Sequence, residues 1–202
     1  MRIIAGSLKG RRLATPSWEG LRPTSDKLRE TIYNILAARI VGARVLDGYA
    51  GTGAVGIEAL SRGAAQVTFI EQDRRAQALI QENLARCGIA EGYAIIRATV
   101  ARGLKMLREQ PTFDIILLDP PYERLRPARG AGVPNAASSD HHAVKLGIII
   151  AAAADVMAPD GVLILEHARR RPAPETAWRL VRSREVTSGD SALALYKRKG
   201  RS

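Results

Sequence analysis

Between residues 43 and 166 the chain alternates short apolar runs with longer amphipathic stretches. Apolar runs of about four to eight residues are typical of buried strands, whereas apolar positions three and four residues apart indicate helices. The pattern predicts strands at 43–47, 66–71, 93–97, 113–119 and 161–166. It predicts helices at 54–62, 73–87, 100–108 and 143–157. This alternation favours an α/β fold in which helices cover both faces of a parallel sheet.

Both ends of the chain depart from this alternation. Residues 3–13 predict a short β-hairpin, and Thr24 or Ser25 can cap a helix that follows it. Near the other end, Trp178–Glu185 and Ala192–Lys197 predict an antiparallel hairpin that completes the sheet. We therefore expect an N-terminal extension at 1–40 and a main domain at 41–202.

The segment from Glu123 to Asp140 has no apolar periodicity and contains two prolines. We expect a long loop there. It could act as a lid over a substrate, but a surface insertion would have the same composition. His141 and His142 close the segment, and adjacent side chains at a helix start point in different directions, so no metal site is expected.

A glycine-rich segment follows the first predicted strand. Gly51, Gly53 and Gly56 have the G-x-G-x-x-G spacing, which lets a nucleotide-like ligand approach the backbone and the amides of the next helix. Asp47, four residues before Gly51, would repel a pyrophosphate. It would stabilise a cationic ligand such as S-adenosylmethionine, which has sulfonium and ammonium groups. A solvated acid that caps the loop would have the same spacing.

A second acid, Glu71, ends the next apolar run and lies 20 residues after Gly51. In a parallel sheet this places it at the tip of the neighbouring strand, where a carboxylate can accept hydrogen bonds from both hydroxyls of a ribose. An acid that ends a strand is often only solvated. Together with Asp47 and the glycines, however, Glu71 favours an adenosyl ligand.

The third feature is the tetrapeptide Asp119-Pro120-Pro121-Tyr122, which follows an apolar strand. Asp119 and the carbonyl group of Pro120 can both accept hydrogen bonds from one exocyclic amine, and Tyr122 offers a flat face for base stacking. Two acceptors localise the lone pair of such an amine on its nitrogen, so that it can attack a methyl carbon. A structural turn with a packed tyrosine is the alternative.

The net charge of +11 is concentrated at the two ends of the chain. Residues 1–30 contain 7 Lys/Arg and 3 Asp/Glu, residues 167–202 contain 10 and 3, and residues 31–166 contain 14 of each. Basic flanks favour a nucleic-acid substrate, although an Arg-rich composition that only maintains solubility would give the same balance. The candidate nucleic-acid contacts are Lys9, Arg11, Arg12, Arg22 and Thr24.

The composition also bounds the location and size of the protein. A chain of 202 residues is long enough for one domain with a sizeable core. Its one cysteine, Cys87, cannot form an internal disulfide, which favours a reducing, cytoplasmic location. The N-terminal residues lack a signal-peptide pattern, and the apolar run 146–154 is too short to span a bilayer. We expect a soluble protein without membrane contact.

The glycine loop and the tetrapeptide resemble those of S-adenosylmethionine-dependent methyltransferases that modify exocyclic amines. The segments 1–6, 9–13, 21–30 and 56–63 closely resemble the RsmD family of bacterial 16S rRNA guanine-N2 methyltransferases. The resemblance implies a class I, Rossmann-like fold with a seven-stranded, mostly parallel sheet, an antiparallel C-terminal hairpin and an N-terminal RNA-binding extension. It also implies methylation of guanine 966 of 16S rRNA on an assembling 30S particle. We expect a monomer that uses no metal.

These considerations assign a role to each candidate residue. Asp119 and Pro120 would accept the amine, and Tyr122 would stack on the base. The cofactor-binding set is Asp47, Gly48, Ala50, Gly51, Gly53, Glu71, Gln72, Thr99 and Val100. Thr99 and Val100 would contact the adenine, where the family often has Asp or Asn. Three alternatives stay open, namely an adenine-N6 DNA methyltransferase, a binding protein without turnover and a nicotinamide-dependent enzyme.

Overall fold

The computed structural model describes residues 1–18, 24–110, 112–121 and 137–200. Its strands are β1 (Arg44–Gly48), β2 (Gln66–Glu71), β3 (Tyr93–Arg97), β4 (Phe113–Leu118), β5 (Met157–Ala168), β6 (Thr176–Ala177), β7 (Leu180–Ser188) and β8 (Ser191–Arg198). Its helices are α1 (Asp26–Leu36), α2 (Ala54–Ser61), α3 (Arg74–Arg86), α4 (Val100–Met106) and α5 (Ala137–Val156). The predicted alternation of strands and helices in the middle of the chain is confirmed.

The strands form one eight-stranded sheet in the order β3-β2-β1-β4-β5-β8-β7-β6. The strand pairs among β1 to β5 are parallel. The pairs β5–β8, β8–β7 and β7–β6 are antiparallel. The predicted parallel sheet and C-terminal hairpin are confirmed, and the two-residue β6 adds an eighth strand to the seven expected. The C-terminal ends of the parallel strands share one edge of the sheet, here called the carboxyl edge, at Gly48, Glu71, Arg97, Leu118 and Ala168.

Each face of the sheet has its own hydrophobic core, because side chains alternate along the strands. On the first face, Val45, Leu117 and Ile164 pack under the N-terminal residues, α1, α2 and α3. On the second face, Leu46 and Leu165 pack against α4 and α5. Within the described residues, no helix combines the length and the apolar character needed to cross a membrane.

The N-terminal residues are bound tightly to the first face. The Glu58 carboxylate on α2 accepts hydrogen bonds from the backbone N–H groups of Ile4, at 2.8 Å, and Ala5, at 2.9 Å. Gly6 follows, and a Cβ atom there would lie 1.9 Å from the carbonyl oxygen of Ser61, so no other residue fits. These contacts join residues 1–6 to the segment 56–63.

Three elements differ from the sequence prediction in extent. The hairpin over residues 3–13 forms a single isolated bridge, between Arg2 and Arg12. β5 begins at Met157 rather than at residue 161. Residues 157–161 have a sequence typical of a turn, but they belong to the strand because Met157 pairs with Phe113 before an irregularity in the register with β4. α5 begins at Ala137, inside the predicted loop, and residues 123–136 of that loop lie outside the described residues.

Candidate functional site

Four carboxyl groups lie at the carboxyl edge on the first face of the sheet. Asp47 on β1 is paired with Phe69 on β2 and with Leu117 on β4. Glu71 and Asp119 lie two positions after these partners. Since side chains alternate, all three are on one face. Leu118 is paired with Leu165, so the next residues, Asp119 and Glu166, are neighbours on that same face.

Asp47 is only 4% exposed, and its Oδ2 accepts the N–H of Gly56 in the first turn of α2 at 2.8 Å. Burial raises the pKa of Asp47 from 3.8 to about 7; the hydrogen bond from Gly56 opposes the increase, and the negative charge of Glu71 adds to it. This acid is therefore buried rather than solvated. A cationic ligand beside it would stabilise the ionised form and lower the pKa.

The loop between β1 and α2 has a backbone that depends on its glycines. Gly53 has a φ of 75° at the N-cap of α2. Gly56 allows α2 to pack closely on β2, since a Cβ atom there would lie 2.2 Å from the ring of Phe69. Tyr49 has a φ of 65°, which is unfavourable for a bulky residue and marks a strained turn directly after the strand. The predicted cofactor residues in this turn are Gly48, Ala50 and Gly51.

Glu71 connects this loop to the start of α3. Its Oε2 accepts the N–H of Gly51 at 2.9 Å, and its Oε1 accepts those of Gln72, at 2.7 Å, and Asp73, at 2.9 Å. A carboxylate offers about four acceptor positions, so about one is left for a ligand in this arrangement. To bind both hydroxyls of a ribose, Glu71 would have to release at least one backbone group.

Asp119 is hydrogen-bonded to two side chains, those of Thr24 and Glu166. It accepts a hydrogen bond from the Thr24 hydroxyl at 3.3 Å and shares another with Glu166, which in turn accepts one from the Ser191 hydroxyl at 3.0 Å. Burial and the negative charge of Glu166 raise the pKa of Asp119 well above its ordinary value, while Thr24 opposes this. Two carboxyl groups can hydrogen-bond to each other only through a proton, and the raised pKa of Asp119 favours its protonated form.

Thr24, Asp47, Asp119 and Glu166 line a cavity of about 20 Å³, whose other walls are apolar. Such a volume accommodates about one water molecule. A nucleobase would therefore have to displace the Thr24 segment or lie against the outer side of Asp119.

The remaining predicted site residues are less informative. Pro120 is half-buried directly after Asp119, whereas Tyr122 and Arg22 lie outside the described residues. Thr99 caps α4 by accepting the N–H of the residue three positions later at 3.3 Å, which leaves a second lone pair for a ligand. Val100 is 4% exposed and belongs to the core of the second face.

The predicted RNA contacts are divided between the two edges of the sheet. Thr24 lies beside Asp119. Lys9 and Arg12 are exposed in the N-terminal turn, and Arg11 donates to the carbonyl group of Arg86, at the C-terminal end of α3, at 3.2 Å. The 13 residues of α3 begin at the carboxyl edge and extend about 20 Å away from it. The structure therefore leaves this basic turn far from Asp119.

Two residues that position the site were missed in the sequence. Glu166 ends an apolar strand, which is the same signal that identified Glu71 and Asp119. Asn83 is a polar residue on the apolar face of α3; its side chain accepts the N–H of Ala14 at 2.7 Å and donates to the carbonyl group of Thr52 at 2.9 Å. It joins the N-terminal segment to the glycine loop.

The chain is similar to several known methyltransferases. The chain is 33% identical to "Putative rRNA methyltransferase YlbH" of Bacillus subtilis, over 99% of this chain and 100% of that protein. It is 43% identical to "Ribosomal RNA small subunit methyltransferase D" of Haemophilus influenzae, over 60% of this chain and 64% of that protein. The solved structure of yhhF from Escherichia coli superposes with a TM-score of 0.77 and 30% identity, covering 100% of this chain and 99% of the other.

The family model described as "Conserved hypothetical protein 95" matches residues 1–128, which include the N-terminal segment, the glycine loop and the tetrapeptide. The class I methyltransferase fold is thereby confirmed. A solved structure with the same fold, described as "Crystal structure of SMU.776, a putative methyltransferase complexed with SAH", superposes with a TM-score of 0.60 at 14% identity, over 84% of this chain and 49% of that chain, and S-adenosylmethionine is the cofactor of such methyltransferases. The chain therefore belongs to the RsmD family of methyltransferases.

Proposed function

We propose that this protein transfers a methyl group from S-adenosylmethionine to the exocyclic N2 of a guanine in 16S ribosomal RNA, guanine 966 by the family resemblance, on an assembling 30S particle. The names of its relatives, which refer to rRNA and to the small ribosomal subunit, support the class of substrate. The position of Asp119 carries the chemical part of the proposal, because its carboxyl group lies beside Asp47 on the next strand.

The cofactor would lie over β1 and β2. Asp47 would face its positive charge, and Glu71 would exchange a backbone amide for a ribose hydroxyl. The raised pKa of Asp47 supports this arrangement, because burial and the charge of Glu71 make the ionised form of Asp47 unfavourable unless a cation lies beside it.

The reaction would be a direct displacement. The guanine N2 attacks the methyl carbon, the bond from that carbon to sulfur breaks, and S-adenosylhomocysteine leaves with the electron pair. The amine loses one proton, and the carboxylate of Asp119 in its ionised form is positioned to accept it, with a raised pKa that makes it a stronger base. The rate enhancement would come mainly from positioning and exclusion of water. A guanine in a duplex could not reach such a site, so the target should be unpaired or flipped out.

The test is methyl transfer from tritiated cofactor to unmodified 30S subunits, followed by mass spectrometry of the nucleosides. We expect N2-methylguanosine with the wild-type protein and none with Asp119→Asn. Asp114→Asn is the matched control, because Asp114 is an exposed acid on the same strand, five residues away, and accepts the N–H of Arg44 at 2.8 Å. Transfer by the Asp119 variant at the control rate would refute the proposed chemistry.

A second candidate is methylation of adenine N6. It is favoured by one similarity, 32% identity over 39% of this chain to "tRNA1(Val) (adenine(37)-N6)-methyltransferase" of Shewanella putrefaciens. An exocyclic adenine amine would be held by the same acceptors. N6-methyladenosine or its deoxy form in treated tRNA or DNA, without N2-methylguanosine in treated 30S particles, would establish this candidate instead.

A further inference from the structure

The proposed cofactor and substrate groups occupy different parts of the carboxyl edge. Along the sheet, the order β2, β1, β4 and β5 places Glu71 and Asp47 on one side of Asp119. If those two acids hold the cofactor, as proposed above, the nucleotide has to lie on the other side, over β4 and β5. The groups that follow β5 are therefore the next to meet the RNA.

Directly after β5 the chain forms a turn of three arginines, Arg169, Arg170 and Arg171, here called the arginine turn. Its backbone is held in place: the N–H of Arg169 donates to the carbonyl group of Asp190 at 2.9 Å, and that of Arg171 donates to Ala168 at 2.8 Å. Arg169 and Arg170 are exposed. At about 3.3 Å per residue, Arg169 lies about 10 Å beyond Glu166, on the substrate side of Asp119.

The first two arginines of this turn are free to meet an external anion. In the part of the chain that the structure describes, neither Arg169 nor Arg170 forms an ion pair. The adjoining β7–β8 turn contributes one acid, Asp190, and Glu166 is 8% exposed and bonded to Ser191. The turn thus presents two guanidinium groups that have no ion-pair partner among the described residues, at the edge where RNA would approach.

We infer that Arg169 and Arg170 bind backbone phosphates of the RNA strand that flanks the target base. The inference rests on the proposed function and adds a substrate contact that differs from the N-terminal basic turn. Guanidinium groups bind phosphate oxygens with paired, charge-assisted hydrogen bonds. Phosphate contacts orient a strand without reading its sequence, so this turn would align the base with Asp119 rather than select it.

The test compares Arg169→Gln/Arg170→Gln with a matched control, Arg179→Gln/Lys199→Gln. The control removes the same charge from two exposed neighbours at the opposite edge, where the N–H of Lys199 donates to the carbonyl group of Arg179 at 2.8 Å. Binding of a 16S rRNA fragment that contains the target guanine would be measured from 50 to 300 mM salt, together with methyl transfer and calorimetric cofactor binding.

Each phosphate contact to a single strand contributes about 0.7 to the slope of log K against log salt. Loss of two contacts should lower that slope by about 1.4 and weaken RNA binding about 25-fold at 0.1 M salt. Cofactor affinity should stay unchanged. Arg169→Lys/Arg170→Lys should retain most of the slope, because the charge remains.

An unchanged slope in the Gln variant, or an equal loss in the control, would overturn the inference. Methyl transfer by the wild-type protein with no effect of Arg169→Gln/Arg170→Gln would refute this inference alone. Absence of any transfer by the wild-type protein would refute the proposed function and the inference with it.

Discussion

Replacement of Asp47 by asparagine should stabilise the protein without its cofactor and weaken cofactor binding at the same time. Asp47 is buried, and its Oδ2 accepts the Gly56 N–H at 2.8 Å. The amide oxygen of asparagine can accept the same hydrogen bond, so the substitution removes the charge and keeps the contact with the first turn of α2. The ionised form carries a desolvation cost that the variant does not have.

The size of the effect follows from the pKa of Asp47, which burial raises from 3.8 to about 7. In the folded protein Asp47 keeps its proton up to about pH 7, whereas in the unfolded chain Asp47 loses its proton near pH 3.8. The folded state therefore binds more protons between these values, and the stability of the wild type falls as the pH rises through that window. The full difference corresponds to about 4 kcal/mol, an upper bound. Asp47→Asn should thus be more stable by up to about 4 kcal/mol at pH 8 and equal to the wild type near pH 4.

The assay is urea unfolding of the cofactor-free protein at pH values from 4 to 8, because the difference between variant and wild type cancels the titration of all groups that do not interact with Asp47. Asp114→Asn serves as the control, since this exposed acid also accepts a backbone N–H, from Arg44 at 2.8 Å. Its effect should not grow with pH as that of Asp47→Asn does. A variant of Asp47 that is less stable than the wild type at pH 8, or a difference that does not change with pH, would refute the electrostatic account.

Four further predictions concern the site and the basic turn. Asp119→Ala should abolish methyl transfer while cofactor affinity measured by calorimetry stays within a few-fold; equal loss of both would assign this acid to the cofactor site. Glu71→Ala should weaken cofactor binding first, and unchanged affinity would show that Glu71 only holds the loop. Glu166→Gln should move the acidic limb of the pH–rate profile to lower pH, because removal of the neighbouring charge lowers the pKa of Asp119; a profile that does not move would contradict this. Charge reversal at Arg11 and Arg12 should weaken RNA binding most at low salt, and an unchanged salt slope would exclude this turn as a phosphate contact.

The candidate site was predictable to the extent that it depends on strand tips. Asp47, Glu71 and Asp119 each follow an apolar run, and the βα alternation requires those runs to end at one edge. The same rule applies to Glu166, but its relation to Asp119 depends on the pairing of β4 with β5, which the sequence does not specify. The bond from Thr24 to Asp119 spans 95 positions and depends on tertiary packing.

Element boundaries were harder to predict where local signals are weak. α5 begins at Ala137, and its first residues, Ala-Ser-Ser-Asp-His-His, have no apolar periodicity. β6 has two residues, too few for any pattern. The location of the N-terminal basic turn could not be predicted at all, because it is determined by Glu58 and Ser61 on α2, whose partners are backbone groups rather than matching side chains.

The charge distribution of the site bears on the direction of the proposed reaction. Burial raises the pKa of Asp119, and the negative charges of Asp47 and Glu166 raise it further. The unliganded site therefore favours the binding of a proton or a cation. S-adenosylmethionine brings a sulfonium charge, and methyl transfer removes that charge from the sulfur. The attraction that holds the donor is therefore weaker for S-adenosylhomocysteine, and the proton from the amine arrives at the carboxyl pair at the same stage. The clustering of buried carboxyl groups, which is unfavourable without a ligand, thus favours binding of S-adenosylmethionine and release of S-adenosylhomocysteine.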